Sequence, residues 1–196
     1  AGLLPPIPDF TNDSEPKPSR SMQLPQPIPT EHRPMANLKR NFDLISPRIK
    51  IKLEGKLAWP LVFWGPPGTG KTCAALCLLD RVGGKYFPVP ELLEQITQAQ
   101  FGKLHDALGE RVFSSEFWFR ISRACLVVLD EVGCRERVSD AHYCAVKRVI
   151  DLRIGKPFIA ISNLPLEELE KIYDGRIVSR LSAGMILEFS GQDRRL

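Results

Sequence analysis

The chain has 196 residues, a formal net charge of +4 and an apolar content of 43%. That length holds one domain with a sizeable core plus a tail. No apolar stretch reaches the length of a membrane-spanning helix, no signal-peptide pattern opens the chain, and the charge is too mild to argue for nucleic-acid binding on its own.

Nine of the 17 prolines fall between Pro5 and Pro34, interspersed with Ser, Thr, Asn and Gln. Such a segment cannot bury enough apolar surface to order itself, so residues 1–34 are expected to be a disordered tail of extended, polyproline character. Within it, Leu24-Pro25-Gln26-Pro27-Ile28-Pro29 leaves two readings open, a solvated spacer and a ligand for an aromatic groove. The chain opens on Ala rather than Met, as a piece of a longer protein would.

The positive charge gathers next, in a basic linker expected over 35–56. Between Arg33 and Lys56 there are seven Lys or Arg against Asp43 and Glu54. Arg48-Ile49-Lys50-Ile51-Lys52-Leu53 alternates basic and apolar residues with the period of a half-buried strand. A solvated edge strand and a phosphate-backbone contact, joined by Lys39 and Arg40, are both open.

From residue 57 onward a folded domain is expected, to the end at 196. Its first strand, Leu61-Val62-Phe63-Trp64, runs into Gly65-Pro66-Pro67-Gly68-Thr69-Gly70-Lys71-Thr72. Strand, Gly-rich loop and helix in that order make a phosphate-binding site. Gly68 and Gly70 permit backbone angles that turn successive N–H groups onto phosphate oxygens, and the helix beginning near Thr72 adds its positive dipole end. Lys71 is placed to reach the β- and γ-phosphates, and Thr72 offers a hydroxyl to Mg²⁺.

After that helix (72–82) the pattern predicts a strand at 86–89 and a helix from Pro90 that carries Leu92, Leu93 and Ile96. A polar and helical connection is expected over 101–112, then a helix over 115–124 with Phe117, Trp118 and Phe119. Those aromatics read as core, with stacking faces for bases as the alternative. The apolar run Leu126-Val127-Val128-Leu129 then ends in Asp130-Glu131, as a central parallel strand does at the edge where ligands sit. Asp130 is expected to hold Mg²⁺ through water, and Glu131 to orient and deprotonate the attacking water. No Asn-Lys-x-Asp base-reading motif occurs, which favours ATP over GTP.

A helix over 139–153 with a Ser-Asp cap, a strand over 158–163, short helices over 166–173 and 175–181, and a strand over 185–189 complete the chain. Asn163, at a buried strand end, is expected to lie beside the Glu131 strand and point at the γ-phosphate, with a Ser-Asn-Leu-Pro turn as the alternative. Arg176 and Arg180 share one helical face; a site with its own Lys and acids still lacks a cation for transition-state charge, which a neighbouring subunit can supply. The βαβα alternation predicts an α/β fold, a parallel sheet with helices on both faces. Five cysteines (Cys73, Cys77, Cys125, Cys134, Cys144), odd in number and without C-x-x-C spacing, are expected to be buried thiols of a reducing cytoplasm.

Taken together, GPPGTGKT, LVVLDEVG, ISNLPLEELEKIYDGRIVSRL and the terminal EFSGQDRRL resemble the DnaC-type helicase loaders, within the AAA+ P-loop NTPases. IstB-type transposition ATPases share much of the same core. The resemblance implies that Asn163 is the sensor residue, Arg180 the inter-subunit finger and Arg176 its support. It also implies ATP hydrolysis with Mg²⁺ in an ATP-dependent homo-oligomer, with a replicative DNA helicase and single-stranded DNA as partners. Two features depart from that family: a Pro-rich tail stands where a helicase-binding domain usually precedes the ATPase, so that either the chain is truncated or the partner contact has changed, and no sizeable C-terminal lid follows the last strand. Arg194 and Arg195 are all that could stand in for a lid-borne arginine.

Overall fold

Five short strands lie side by side, all parallel, in the order β2-β3-β4-β1-β5. They are β1 (Leu61–Trp64), β2 (Lys85–Pro88), β3 (Val127–Asp130), β4 (Phe158–Ser162) and β5 (Met185–Glu188). The structure, a computed structural model, describes residues 58–134 and 138–191, without the side chain of Arg81. The proline-rich tail, the basic linker with its Arg48–Leu53 alternation, and Arg194 and Arg195 lie outside the described residues.

Parallel neighbours need crossovers, and helices supply them. These are α1 (Lys71–Val82), α2 (Val89–Gln100), α3 (Ser114–Arg123), α4 (Asp140–Leu152), α5 (Leu166–Ile172) and α6 (Gly175–Ser182). Strand alternation divides the core in two. Leu61, Phe63, Val128, Ile159, Ile161 and Leu187 face α1 with its Ala74, Leu76 and Cys77. Val62, Phe87, Val127, Leu129, Phe158 and Ala160 face the other five helices, through residues such as Leu92, Phe117, Ile121, Val146 and Ile177. Each fully buried Phe or Leu contributes roughly 1.5–3 kcal/mol relative to exposure. The sheet is therefore covered on both faces, as expected, but unevenly among the described residues.

Register places the site. Trp64 lies level with Ser162, Leu129 with Ala160, and Pro88 with Asp130. The carboxyl ends of β1, β3 and β4 thus open at one edge, with β4 in the middle.

Element boundaries follow the sequence expectation to within a residue or so, and Ser139 caps α4 by accepting from the N–H of His142 at 3.3 Å. Three expectations are corrected. The connection over 101–112 is not helical but a small hairpin, paired at His105 and Arg111. Asp106 holds its tip by accepting from the N–H groups of Leu108 and Glu110, both at 3.0 Å, and is itself held by Arg120 at 3.1 Å. Of the aromatics on α3, Phe117 and Trp118 are core, whereas Phe119 is 58% exposed. Cys125, Cys134 and Cys144 are exposed as well, leaving Cys77 buried and Cys73 partly so. No helix among the described residues is long and apolar enough to cross a membrane.

Candidate nucleotide site

β1 delivers the chain directly into the Gly-rich loop. Gly65 sits at φ +141°, and a Cβ there would fall 2.1 Å from the carbonyl oxygen of Phe189, so no other residue fits without displacing backbone. Gly68 and Gly70 take φ values of 76° and 93°, the conformations that the sequence requires of them. Gly70 serves as N-cap of α1, and its carbonyl accepts the helix-opening bond from the N–H of Ala74 at 3.0 Å. The Thr69 hydroxyl braces the turn by donating to the Pro66 carbonyl at 2.9 Å.

Lys71 is buried, its ammonium donating to the carbonyls of Gly65 at 2.6 Å and Pro66 at 2.7 Å. Both acceptors are neutral and belong to the loop itself. A phosphate oxygen reaching the same place would offer a charge-assisted bond about twice as strong.

Thr72, at the start of α1, donates to Oδ2 of Asp130 at 2.8 Å across 58 residues of sequence. The Asp130 carboxylate also accepts from the Tyr86 hydroxyl at 2.9 Å on Oδ2 and from the N–H of Glu131 at 2.7 Å on Oδ1. Because Thr72 directs its proton at the carboxylate, the lone pairs of its oxygen remain available to a cation. One hydroxyl and one carboxylate are hard oxygen donors. Among the described residues no cluster of three or more His, Cys, Asp or Glu forms a protein cage. That donor set fits Mg²⁺, which is held by a few protein oxygens together with phosphate and water.

Glu131 leaves the strand at φ 61°, uncommon for a residue with a side chain, and as a residue is exposed at the sheet edge. Desolvation by the surrounding chain, then the charges of Asp130 and Glu91, push its titration above the ordinary glutamate range. A carboxylate made more basic is a better acceptor for the proton of a water. Asn163 follows β4 directly and is exposed. Since β4 lies between β1 and β3, Asn163 follows a strand end between the phosphate loop and the acids. Ser162 accepts from the N–H of Leu164 at 3.0 Å and turns the chain away behind it.

Behind the acids runs a second network. The Tyr173 hydroxyl accepts from the N–H of Gly133 at 3.3 Å and meets Nε2 of buried His142 at 3.0 Å. Next in sequence, Asp174 caps α6 by accepting from the N–H groups of Arg176 and Ile177, and takes a hydrogen bond from the Tyr143 hydroxyl at 2.8 Å. Ile177 and Leu181 bury the inner face of α6, which leaves Arg176 exposed and Arg180 partly so. Arg180 makes an ion pair with Asp151 of α4 at 2.7 Å and donates to the Arg176 carbonyl at 3.0 Å. Lys71, Thr72, Asp130, Glu131 and Asn163 thus converge on one edge, whereas Arg176 and Arg180 stand on an outer helix.

Sequence reasoning missed Tyr86 and Tyr173. Neither carries a motif, and only the pairing of β2 with β3 brings Tyr86 to Asp130.

The fold is α/β, a five-stranded parallel sheet between helices, and resembles that of AAA+ P-loop domains. No family model matches the chain. Over 114 residues, 54% of the chain, it is 32% identical to the replication factor C large subunit of Archaeoglobus fulgidus, of which it spans 23%. Among solved structures it is similar to AMPPCP-bound DnaA from Aquifex aeolicus, with a TM-score of 0.58 at 21% identity, covering 79% of this chain and 49% of that one. A replication initiator DnaA bound to AMPPCP and single-stranded DNA gives 0.55 at 20% identity, covering 74% and 44%. DnaI gives 0.52 at 19% identity, covering 80% of this chain and 81% of that one. The chain therefore spans less than half of those DnaA chains and about a quarter of the curated relative. At such identities the likeness to the solved structures is one of fold.

Proposed function

We propose that the chain binds and hydrolyses ATP and, as an ATP-dependent homo-oligomer, acts like a helicase loader on a replicative DNA helicase and single-stranded DNA. The observation that carries the nucleotide reading is the hydrogen bond between Thr72 and Asp130, which joins the phosphate loop to the strand-end acids in one site. The fold shared with DnaA bound to AMPPCP and single-stranded DNA supports both ligands. The likeness to DnaI, which extends over most of both chains, favours the loader reading.

On this reading the backbone from Gly65 to Thr72 cradles the phosphates and Lys71 leaves its carbonyl partners for the β- and γ-oxygens. Thr72 and Asp130 would hold Mg²⁺, which when bound neutralises charge on the phosphate oxygens. Glu131 orients a water in line with the γ-phosphorus and takes its proton as the oxygen attacks and the bond to ADP breaks. Asn163 holds that water and the γ-phosphate from the neighbouring strand end. Arg180 of an adjacent subunit, supported by Arg176, stabilises charge that develops only in the transition state.

The test is Glu131→Gln, which keeps shape and removes the base. Steady-state hydrolysis should fall by about 10²–10⁴-fold with ATP affinity retained. A variant that hydrolyses at the wild-type rate would remove Glu131 from the reaction. Co-purification with the full-length protein distinguishes the partners, since recovery of a transposase in place of a helicase would overturn the loader assignment.

A further inference from the structure

Asp130 accepts from three donors, two of them from distant parts of the chain. α1 contributes the Thr72 hydroxyl, the backbone contributes the N–H of Glu131, and β2 contributes the Tyr86 hydroxyl, which shares Oδ2 with Thr72. Tyr86 is 7% exposed, and its ring packs in the core beside Leu126 and Val128. Its phenol is an O–H donor in the physiological range. A carboxylate anchored only at the end of its own strand can turn about its side-chain torsions. Donors on both oxygens, fixed to different elements, hold the plane of the group.

We propose that Tyr86 is a positioning residue of the nucleotide site, holding Asp130 in the orientation that receives Mg²⁺ together with the triphosphate. This rests on the reading of Thr72 and Asp130 as the cation-side pair. Two effects oppose each other. A hydrogen bond withdraws some charge from the carboxylate and weakens its hold on a cation, while fixing its plane strengthens that hold. The phenol is neutral and withdraws only a fraction of the charge, whereas a rotated carboxylate misses its partner altogether. Alignment therefore prevails, as it does for the outer partners of metal ligands generally.

Tyr86→Phe keeps the ring in the core and removes only the hydroxyl. A fluorescent ATP analogue is titrated with free Mg²⁺ against EDTA in wild type, Tyr86→Phe and Asp130→Ala. The midpoint in Mg²⁺ should rise about tenfold in Tyr86→Phe, while affinity in EDTA stays within about twofold because the phosphate loop is untouched. A role in packing alone would lower the melting temperature and leave the Mg²⁺ midpoint where it was. An unchanged or lower midpoint therefore overturns the proposal. Should Tyr86→Phe not fold, carbon-13 labelling of tyrosine Cζ in the wild-type protein gives the second readout. Adding Mg²⁺ at saturating nucleotide should move the Tyr86 resonance and leave those of Tyr143 and Tyr173 in place, and a silent Tyr86 resonance overturns the proposal. If wild-type binding ignores Mg²⁺, or Asp130→Ala matches wild type, the reading of the cation site itself fails.

Discussion

The phosphate-loop edge and helix α6 carry the two halves of the proposed reaction, and the chain treats them differently. At the edge, every proposed group comes from a strand end, the residue after it or the first turn of α1. Lys71 is held by the carbonyls of Gly65 and Pro66, and Thr72 is hydrogen-bonded to Asp130, all within the chain. On α6 the inner face is anchored by Ile177 and Leu181, while Arg180 is engaged by Asp151 of its own chain. The first region is complete in one molecule. On the proposed reading, the second would acquire a reactive partner only when another molecule brings its own phosphate-loop edge alongside.

The largest effect that would break this comparison is on turnover. Arg180→Ala should leave ATP binding intact and lower hydrolysis on the order of a thousandfold, as loss of an arginine finger does. Mixing it with Lys71→Ala is the sharper test. Lys71→Ala subunits bind ATP too weakly to be filled at the working concentration but keep the arginine, while Arg180→Ala subunits bind ATP and lack it, so shared interfaces should regain partial activity. If no ratio of the two folded, associating proteins restores hydrolysis, the trans role of Arg180 is lost. Lys71→Ala alone comes next. It removes the loop's buried cation, so ATP affinity by calorimetry should fall on the order of a hundredfold or more. Wild-type affinity would refute the reading of the loop.

The same contrast governs what was legible in the sequence. The loop could be read because its chemistry requires glycines and a lysine at fixed spacing. Strands β1, β3 and β4 were equally plain, since burial on both faces demands continuous apolar runs. Tyr86 and Tyr173 were not legible, because each acts through a residue distant in sequence, Asp130 and Gly133 respectively, that only the sheet order brings near. The hairpin after α2 escaped for a similar reason: Asp106 is fixed by Arg120, fourteen residues on. Phe119 could have been placed, since a helix that buries Phe117, Trp118 and Ile121 turns the intervening residue outward. The exposed Cys144 stands likewise beside buried Ala145 and Val146 on α4.

A smaller effect sharpens the edge itself. Glu131 titrates above the ordinary glutamate range, first from desolvation and then from the charges of Asp130 and Glu91. A base works only when ionised, so hydrolysis should fall on acidification at a higher pH than an unperturbed glutamate would give. Glu91 lies on the first turn of α2, outside the proposed machinery. Glu91→Gln removes a like charge, makes ionisation easier and should move the acid limb of the rate profile to lower pH. Desolvation remains, so the limb should stay above the ordinary range. A limb that does not move, or moves upward, would mean that another group sets it.

The smallest effect tests α6 most directly. Asp151 accepts from Lys147 on its own helix at 2.5 Å and pairs with Arg180 at 2.7 Å, and all three side chains are about one-third exposed. A pair so placed is screened by water and contributes about 0.2–1 kcal/mol. For Arg180 to reach a neighbour's phosphate, this contact must open, so the ion pair competes with assembly by the same small amount. Asp151→Asn should therefore lower thermal stability slightly and also lower the ATP concentration needed for assembly, by up to about fivefold. The two changes run in opposite directions, which no purely structural role of Arg180 produces. If light scattering shows assembly unchanged or weakened while the protein melts earlier, the ion pair is only a brace between α4 and α6. Arg180 would then belong to the fold of its own chain, and the two regions would differ in packing and not in partnership.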